Sequence, residues 1–410
     1  MRPRSSLAPA LLIAAASLGV AHASGFAIAE LSITGLSEAD ALVANTNSLG
    51  ALAYNPAAMA FHKGGYDLGL QGIYDHTQVT PAGGTGTVVA TTPHWQTMPN
   101  LFWSDKIAPH TRFGFGINEP YGLQIAWPAQ TFPTLAHGSA SALAPTYTQL
   151  RLFDVAPSLS YRFGSVAVDA GADYYDAHRT VLGTPGATVS GSGDQVGAHV
   201  GALGRWGTVG VGINYRSAVN VPLDGTFSEA GQSSIPVNAT LHLPWQLAVG
   251  VNDALSAKLG VEFDFDRTGW SRFSNIVVSP APGADVGGAA LVTSTYDWQS
   301  SNAYRVGLHY ALSRHVRLRA GYAYDVTGAT NSNFSARIPD ANRQEFSFGA
   351  SQRLGAWSLS AGYMYVLFNT RTYASTTPFT GADPNGTSAY NGTYKTRAQL
   401  FGISISRRFS

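Results

Sequence analysis

The chain has 410 residues; only 12% are charged, 45% are hydrophobic, and the formal net charge is +1. Soluble domains carry roughly twice that share of charge, so the chain substitutes neutral polar residues and 45 Gly for charge, as expected of a wall with an apolar outer and a polar inner face. The even charge balance argues against a nucleic-acid partner, and the absence of cysteine excludes disulfide frameworks, thiolate metal sites and a Cys nucleophile.

The chain opens with Arg2 and Arg4, an apolar run over 7–20 and the small-residue site Ala21-His22-Ala23. This order is that of a cleaved export signal over 1–23, and the run is too short to span a bilayer. Residues 24–63 mix Ser, Asn, Ala and Gly with short apolar pieces. Within them 36–44 is expected to form a short helix capped by Thr34 or Ser37, which Tyr54-Asn55-Pro56-Ala57 then ends. The segment carries more apolar residues than disorder favours and is read as a plug inside a wide lumen, the alternative being a periplasmic or disordered arm.

From 64 to 410 the dominant period is two. Val209, Val211, Ile213 and Tyr215 alternate with Gly210, Gly212, Asn214 and Arg216, and Leu259, Val261, Phe263 and Phe265 with Gly260, Glu262, Asp264 and Asp266. The strands run to about ten residues, the length a tilted membrane strand needs. Short turns near 106–110, 164, 206–207, 253–256, 312–314 and 355–356 alternate with long loops near 80–93, 120–148, 183–192, 223–242, 268–295, 327–342 and 371–392. The pattern predicts an all-β fold, a transmembrane antiparallel β-barrel of about fourteen strands, closed because lipid cannot satisfy an open edge. Aromatics at strand ends, among them Tyr175, Trp206, Tyr215, Trp270, Trp298 and Trp357, are assigned to interfacial girdles. The last strand, 399–409, ends on Phe409 one residue before the terminus, resembling the signal read by periplasmic chaperones and barrel-assembly machinery.

The loop after Pro120 holds Tyr121, Leu123, Ile125, Trp127, Phe132 and Leu135, with no charge between Glu119 and Arg151. Such an apolar loop is either a landing groove for a hydrophobic small molecule or a lid packed on other loops. Alternation turns Arg216, Arg305, Arg317 and Arg319 inward. Each is a candidate partner for a substrate carboxylate, or a member of an ion-pair network with the plug. The sequence carries no G-x-S-x-G, H-E-x-x-H or P-loop, and no cofactor or metal is expected.

Taken in order, Ser24-Gly25-Phe26, Gly35-Leu36, Tyr54-Asn55-Pro56-Ala57, Pro120-Tyr121-Gly122-Leu123, Asn214-Tyr215-Arg216-Ser217, Leu243-Pro244, Trp270-Ser271, Ile338-Pro339-Asp340-Ala341-Asn342-Arg343 and Gly392-Thr393-Tyr394-Lys395 resemble the outer-membrane fatty-acid and hydrocarbon transporters of the FadL/TodX (OMPP1-like) family across the mature chain. The resemblance implies a fourteen-stranded outer-membrane barrel with an N-terminal hatch inside it, and the chain is expected to act as a monomer. It implies capture of long-chain fatty acids or aromatic hydrocarbons in an apolar extracellular groove, and release sideways into membrane lipid through a gap made by a kinked strand. Asn55, Pro56 and Ala57 would form a hatch motif near that gap. The rival readings are a porin for hydrophilic solutes, which needs an open lumen, and a lipid hydrolase, which needs a Ser/His pair that the sequence does not display.

Overall fold

Period-two segments pair because each leaves one edge of N–H and C=O groups on either side, and only a closed ring satisfies them all in lipid. The computed structural model describes residues 25–284 and 288–409; the proposed export signal lies outside them. Fourteen strands form the ring. They are β1 Gly65–Pro81, β2 His94–Ala108, β3 Thr111–Ala126, β4 Tyr147–Phe163, β5 Val166–Gly183, β6 Ala187–Trp206, β7 Val209–Arg216, β8 Gln246–Asp253, β9 Leu259–Thr268, β10 Ser301–Ala311, β11 Val316–Asp325, β12 Arg343–Leu354, β13 Trp357–Phe368 and β14 Gly392–Arg408. Each is antiparallel to its neighbour, and β14 closes on β1 over their full length, from Gly65 opposite Arg408 to Pro81 opposite Gly392. No helix among the described residues is long and apolar enough to cross a membrane.

The outward face carries exposed Leu68, Leu70, Ile213, Phe263, Phe348 and Ile403, the lipid-facing half of the alternation. The short connections are tight. Gly164 and Gly355 turn their hairpins with φ of 62° and 64°, a left-handed conformation that glycine adopts without penalty. This short-turn end faces the periplasm in bacterial barrels.

At the opposite end the strands run past the expected length of about ten residues, with β4, β5 and β6 reaching 17, 18 and 20. The expected loop at 120–148 begins later, since β3 continues to Ala126. The expected loop at 183–192 shrinks because β6 starts at Ala187, and 223–242 is mostly a hairpin of Val219–Glu229 with Ile235–Leu243. These stretches are rich in Gly, Ser, Thr and Asn, so apolar alternation fades while backbone pairing persists.

Residues 25–62 lie against the lumen face. The expected helix over 36–44 is instead Ile33–Ser37, capped by Ser32, whose side chain accepts from the Gly35 N–H. It stops there because Ala39 and Asp40 take φ of 50° and 63°. After a short 3-10 turn at Leu49–Ala53, Asn55 caps another, Pro56–Phe61, with Pro56 in its first turn, where a missing N–H costs nothing. The wall meets this segment with glycine. A Cβ on Gly212 would stand 2.2 Å from the Val43 carbonyl oxygen, and one on Gly321 2.3 Å from the Glu38 carbonyl carbon, so backbone touches backbone across the lumen.

Candidate functional site

The wall is incomplete between β2 and β3. β2 and β3 pair from Leu101 opposite Ile117 down to Ala108 opposite Thr111, and not above. Above that point β2 pairs only with β1 and β3 only with β4, until Thr92 N–H, just before β2, donates to Ala126 O at 2.9 Å and bounds the gap from above. The cause is local: the register slips between Asn118 and Tyr121, where Pro120 cannot donate a ladder bond. The freed edge of β3 binds the start of the lumen segment. Ile28 N–H donates to Pro120 O at 2.9 Å, and Gly122 N–H to Phe26 O at 3.0 Å. Arg151 from β4 clasps the opening, donating to Glu119 on β3 at 2.6 Å and to Thr97 O on β2 at 2.9 Å.

Behind the gap lies a cavity of about 160 Å³, bordered by Ala27, Ile28, Gln96, Leu123, Ile338 and Arg343. A second, of about 80 Å³, is walled by Phe26, Leu123, Leu241, Phe273, Tyr296 and Ile338, with no charged residue in its lining. Leu123 and Ile338 border both. Phe26 sits at this junction, its ring 4.7 Å from that of Trp270 and 5.1 Å from Phe273, both edge-on. A third cavity of about 110 Å³ lies by Ala29, Tyr54, Arg216, Arg305 and Arg343.

The six proposed groove residues divide between two clusters. Tyr121 is buried with Phe26, Tyr175, Trp270 and Trp298, and Leu123 rests on this group. Ile125, Trp127, Phe132 and Leu135 are buried with Phe334, Tyr373, Tyr390 and Tyr394. Trp127 Nε1–H donates to Ala336 O at 2.8 Å. None of the five buried members exceeds 4% exposure, so the loop packs on other loops in this state. Tyr175, Trp270 and Trp298 depart from their girdle assignment. Trp270 and Trp298 stand just beyond strand ends, Tyr175 stands in the middle of β5, and all three rings turn inward and fill the first cluster.

The inward arginines are placed as follows. Arg216 pairs with Asp154 and Asp173. Arg305 pairs with Asp266 at 2.6 Å and Glu345 at 3.1 Å, with Asp40 at 3.8 Å. Arg319 meets Glu38 at 2.8 Å. Arg317 lines a separate vestibule at the short-turn end. The carboxylates of Glu30, Asp40 and Glu345 lie close enough together to hold a cation, but Arg305 and Arg343 already meet Glu345. Burial pushes Glu30 and Asp40 up from the usual carboxylate range. Asp340, buried where its Oδ2 accepts the Gly25 N–H at 3.1 Å, is pushed up to about 6.

Asn55 sits away from the gap. Its amide donates to Val43 O at 2.9 Å and to Ala202 O of β6 at 3.1 Å, and its oxygen accepts from Ala57 N–H. Pro56 and Ala57 continue into the short helix. Ser158 Oγ lies 2.8 Å from His199 Nε2, and His199 Nδ1 lies 3.0 Å from Asp173. This Ser/His pair, invisible in sequence because it joins three strands, has triad spacing. It is buried, Asp173 is also held by Arg216, and none of the cavities above reaches Ser158 or His199.

Sequence reasoning also missed Arg151 and the aromatic walls at Phe273 and Tyr296. The aromatic density of 268–298 was a usable signal for the latter; Arg151 had none, since its partner strands are distant in sequence.

Comparison with known proteins places these features in a family context. The profile of outer membrane protein transport proteins (OMPP1/FadL/TodX) matches residues 13–409. The 47 kDa outer membrane protein of Pasteurella multocida is 27% identical over a stretch covering 48% of this chain and 46% of that one. Outer membrane protein P1 of Haemophilus influenzae is 24% identical over 99% of each chain. The crystal structure of a Pseudomonas aeruginosa FadL homologue, 17% identical, superposes with a TM-score of 0.79 over 94% of this chain and 100% of that one.

Proposed function

The chain belongs to the family of outer membrane protein transport proteins (OMPP1/FadL/TodX), a family of transporters and not of enzymes, and on that premise we propose that it is a passive, monomeric route for uncharged hydrophobic molecules across the outer membrane. Such molecules enter among the extracellular apolar clusters, pass the junction at Phe26 and leave sideways between β2 and β3 into lipid. Residues 25–62 act as the hatch. Periplasmic chaperones and the barrel-assembly machinery deliver the chain, reading its last strand.

The observation that carries this reading is the unpaired stretch between β2 and β3 with a cavity directly behind it. Capture is non-directional, each buried CH₂ contributing about 0.8 kcal/mol. The preference for uncharged molecules follows from the linings. The apolar cavity presents no charge. The gap cavity presents Glu30, Asp75 and Asp340 against Arg343 alone, and Arg343 is already paired with Asp325 and Glu345. A fatty-acid carboxylate would have to displace an existing partner, leaving a buried acid unpaired.

Gly122 offers the test of lateral release. A Cβ there would come within 2.7 Å of Ile28 and 3.1 Å of Gln96, so Gly122→Phe fills the space behind the gap. Uptake of an uncharged aromatic by intact cells should fall severalfold with the barrel inserted. Undiminished uptake would remove the lateral path.

A further inference from the structure

The periplasmic end of the lumen holds a feature that hydrophobic transport does not use. A vestibule of about 800 Å³ opens there beneath the hatch residues Thr34, Asn47, Ser48 and Leu49. Seven lysine and arginine residues border it against a single carboxylate, Asp67; one of them, Arg407, belongs to the outward face and stacks on Trp357. In a chain whose net charge is +1, this is a strong local segregation. The cavities nearer the gap have the opposite character, with acids outnumbering arginines.

The cations are not there to bind one another's partners. Arg319 is tied to Glu38. Lys63, Arg314, Arg317, Arg353 and Arg408 have no acidic group within ion-pair distance among the described residues. Their hydrogen bonds go to backbone: Arg353 to Gly355 O, and Arg408 to Asn47 O of the hatch. Alternation directs Arg317, Arg353 and Arg408 into the lumen, away from lipid. Serine hydroxyls from β12, β13 and β14 stand among them, adding neutral donors. Like charges held together in a concave, low-dielectric wall repel one another and focus a positive potential outward. That arrangement is relieved by an anion, and the planar fork of arginine matches phosphate oxygens two at a time.

We propose that this vestibule binds a multivalent phosphate-bearing anion from the periplasmic side. The volume exceeds what one phosphate fills, so a pyrophosphate or a phosphorylated headgroup suits it better than a single monoanion. The phosphate can come from a free solute or from a phospholipid of the inner leaflet.

The experiment uses the full chain in neutral detergent at low ionic strength, titrated calorimetrically with inorganic pyrophosphate. Saturable binding is expected, weakened about tenfold or more by the R317Q/R353Q double variant, because each lost guanidinium removes charge-assisted bonds. The R317K/R353K variant, which keeps the charge but not the fork, should bind more tightly than R317Q/R353Q and more weakly than the parent, and Arg179→Gln, on the extracellular side, should leave the affinity unchanged. Repeating the titration in nanodiscs separates the sources. Loss of pyrophosphate binding in phosphatidylglycerol but not phosphatidylcholine assigns the site to a lipid headgroup, and equal binding in both assigns it to a free solute. Absence of saturable binding, or equal affinity in R317Q/R353Q and the parent, overturns the proposal.

Discussion

At the scale of single residues, the proposed path depends on Phe26 and Arg151. Phe26 plugs the junction between the apolar cavity and the cavity behind the gap, and is 3% exposed. Phe26→Ala would join the two at a cost of about 3–5 kcal/mol in local stability, and the expected outcome is faster uptake of an uncharged aromatic together with a lower unfolding temperature. Arg151 bridges Thr97 and Glu119 across the unpaired stretch, and the Glu119 side chain is fully buried. Arg151 itself is partly exposed, so its removal should cost less than the loss of a fully buried partner. Arg151→Gln should therefore loosen the gap and raise uptake severalfold, measured as initial rate in intact cells. An unchanged rate with reduced stability would make Arg151 a brace and nothing more. Neither residue was assigned a role from the sequence. Phe26 stood only inside the resemblance motif, and Arg151 looked like the charged border of an apolar loop. What marks them is position relative to a register slip, and a slip at Glu119 and Pro120 is decided by pairing partners that no local pattern reveals.

On the proposed route, two elements govern access. The first is the start of the hatch, held by Asp340 through the Gly25 N–H. Burial pushes Asp340 up to about 6, so the folded state favours its protonated form. That contribution is complete below the ordinary aspartate value of about 4 and is lost as pH rises through about 6. Burial moves Glu30 and Asp40 in the same direction. A nitroxide at Ala27→Cys, convenient because the chain has no other cysteine, should be more mobile at pH 8 than at pH 5, and Asp340→Asn should flatten the change near pH 6. The reverse order of mobility would contradict the linkage. The second element is the loop between β3 and β4, whose Trp127, Phe132 and Leu135 pack under Phe334 and Tyr390. Deleting 128–145 should lower uptake while the barrel still inserts; undiminished uptake would separate this cluster from capture. The strands themselves were legible because lipid outside and water inside impose strict alternation. The loops were less so. Beyond the membrane both faces turn polar, so the extended ends of β3, β6 and the hairpin after β7 lost their signal while keeping their hydrogen bonds.

At the scale of the molecule, a closed barrel of fourteen strands leaves a lumen that the segment 25–62 crosses on a bed of wall glycines. A porin for hydrophilic solutes would show a large, steady conductance in planar bilayers; a barrel so filled should show none. Architecture was the most readable level, since composition, turn spacing and the ordered motifs all converge on one closed sheet. Chemistry was the least, because the inward arginines proposed for a carboxylate, Arg216, Arg305 and Arg319, are read in sequence without the acids that face them in space. The central claim is that this barrel passes uncharged hydrophobic molecules. Its most direct test is parallel uptake of a labelled aromatic hydrocarbon and a labelled long-chain fatty acid by intact cells lacking their own transporters, with and without this protein. Uptake of the hydrocarbon well above that of the fatty acid is the predicted result; preferential uptake of the fatty acid, or uptake of neither by cells with the barrel correctly inserted, would contradict it.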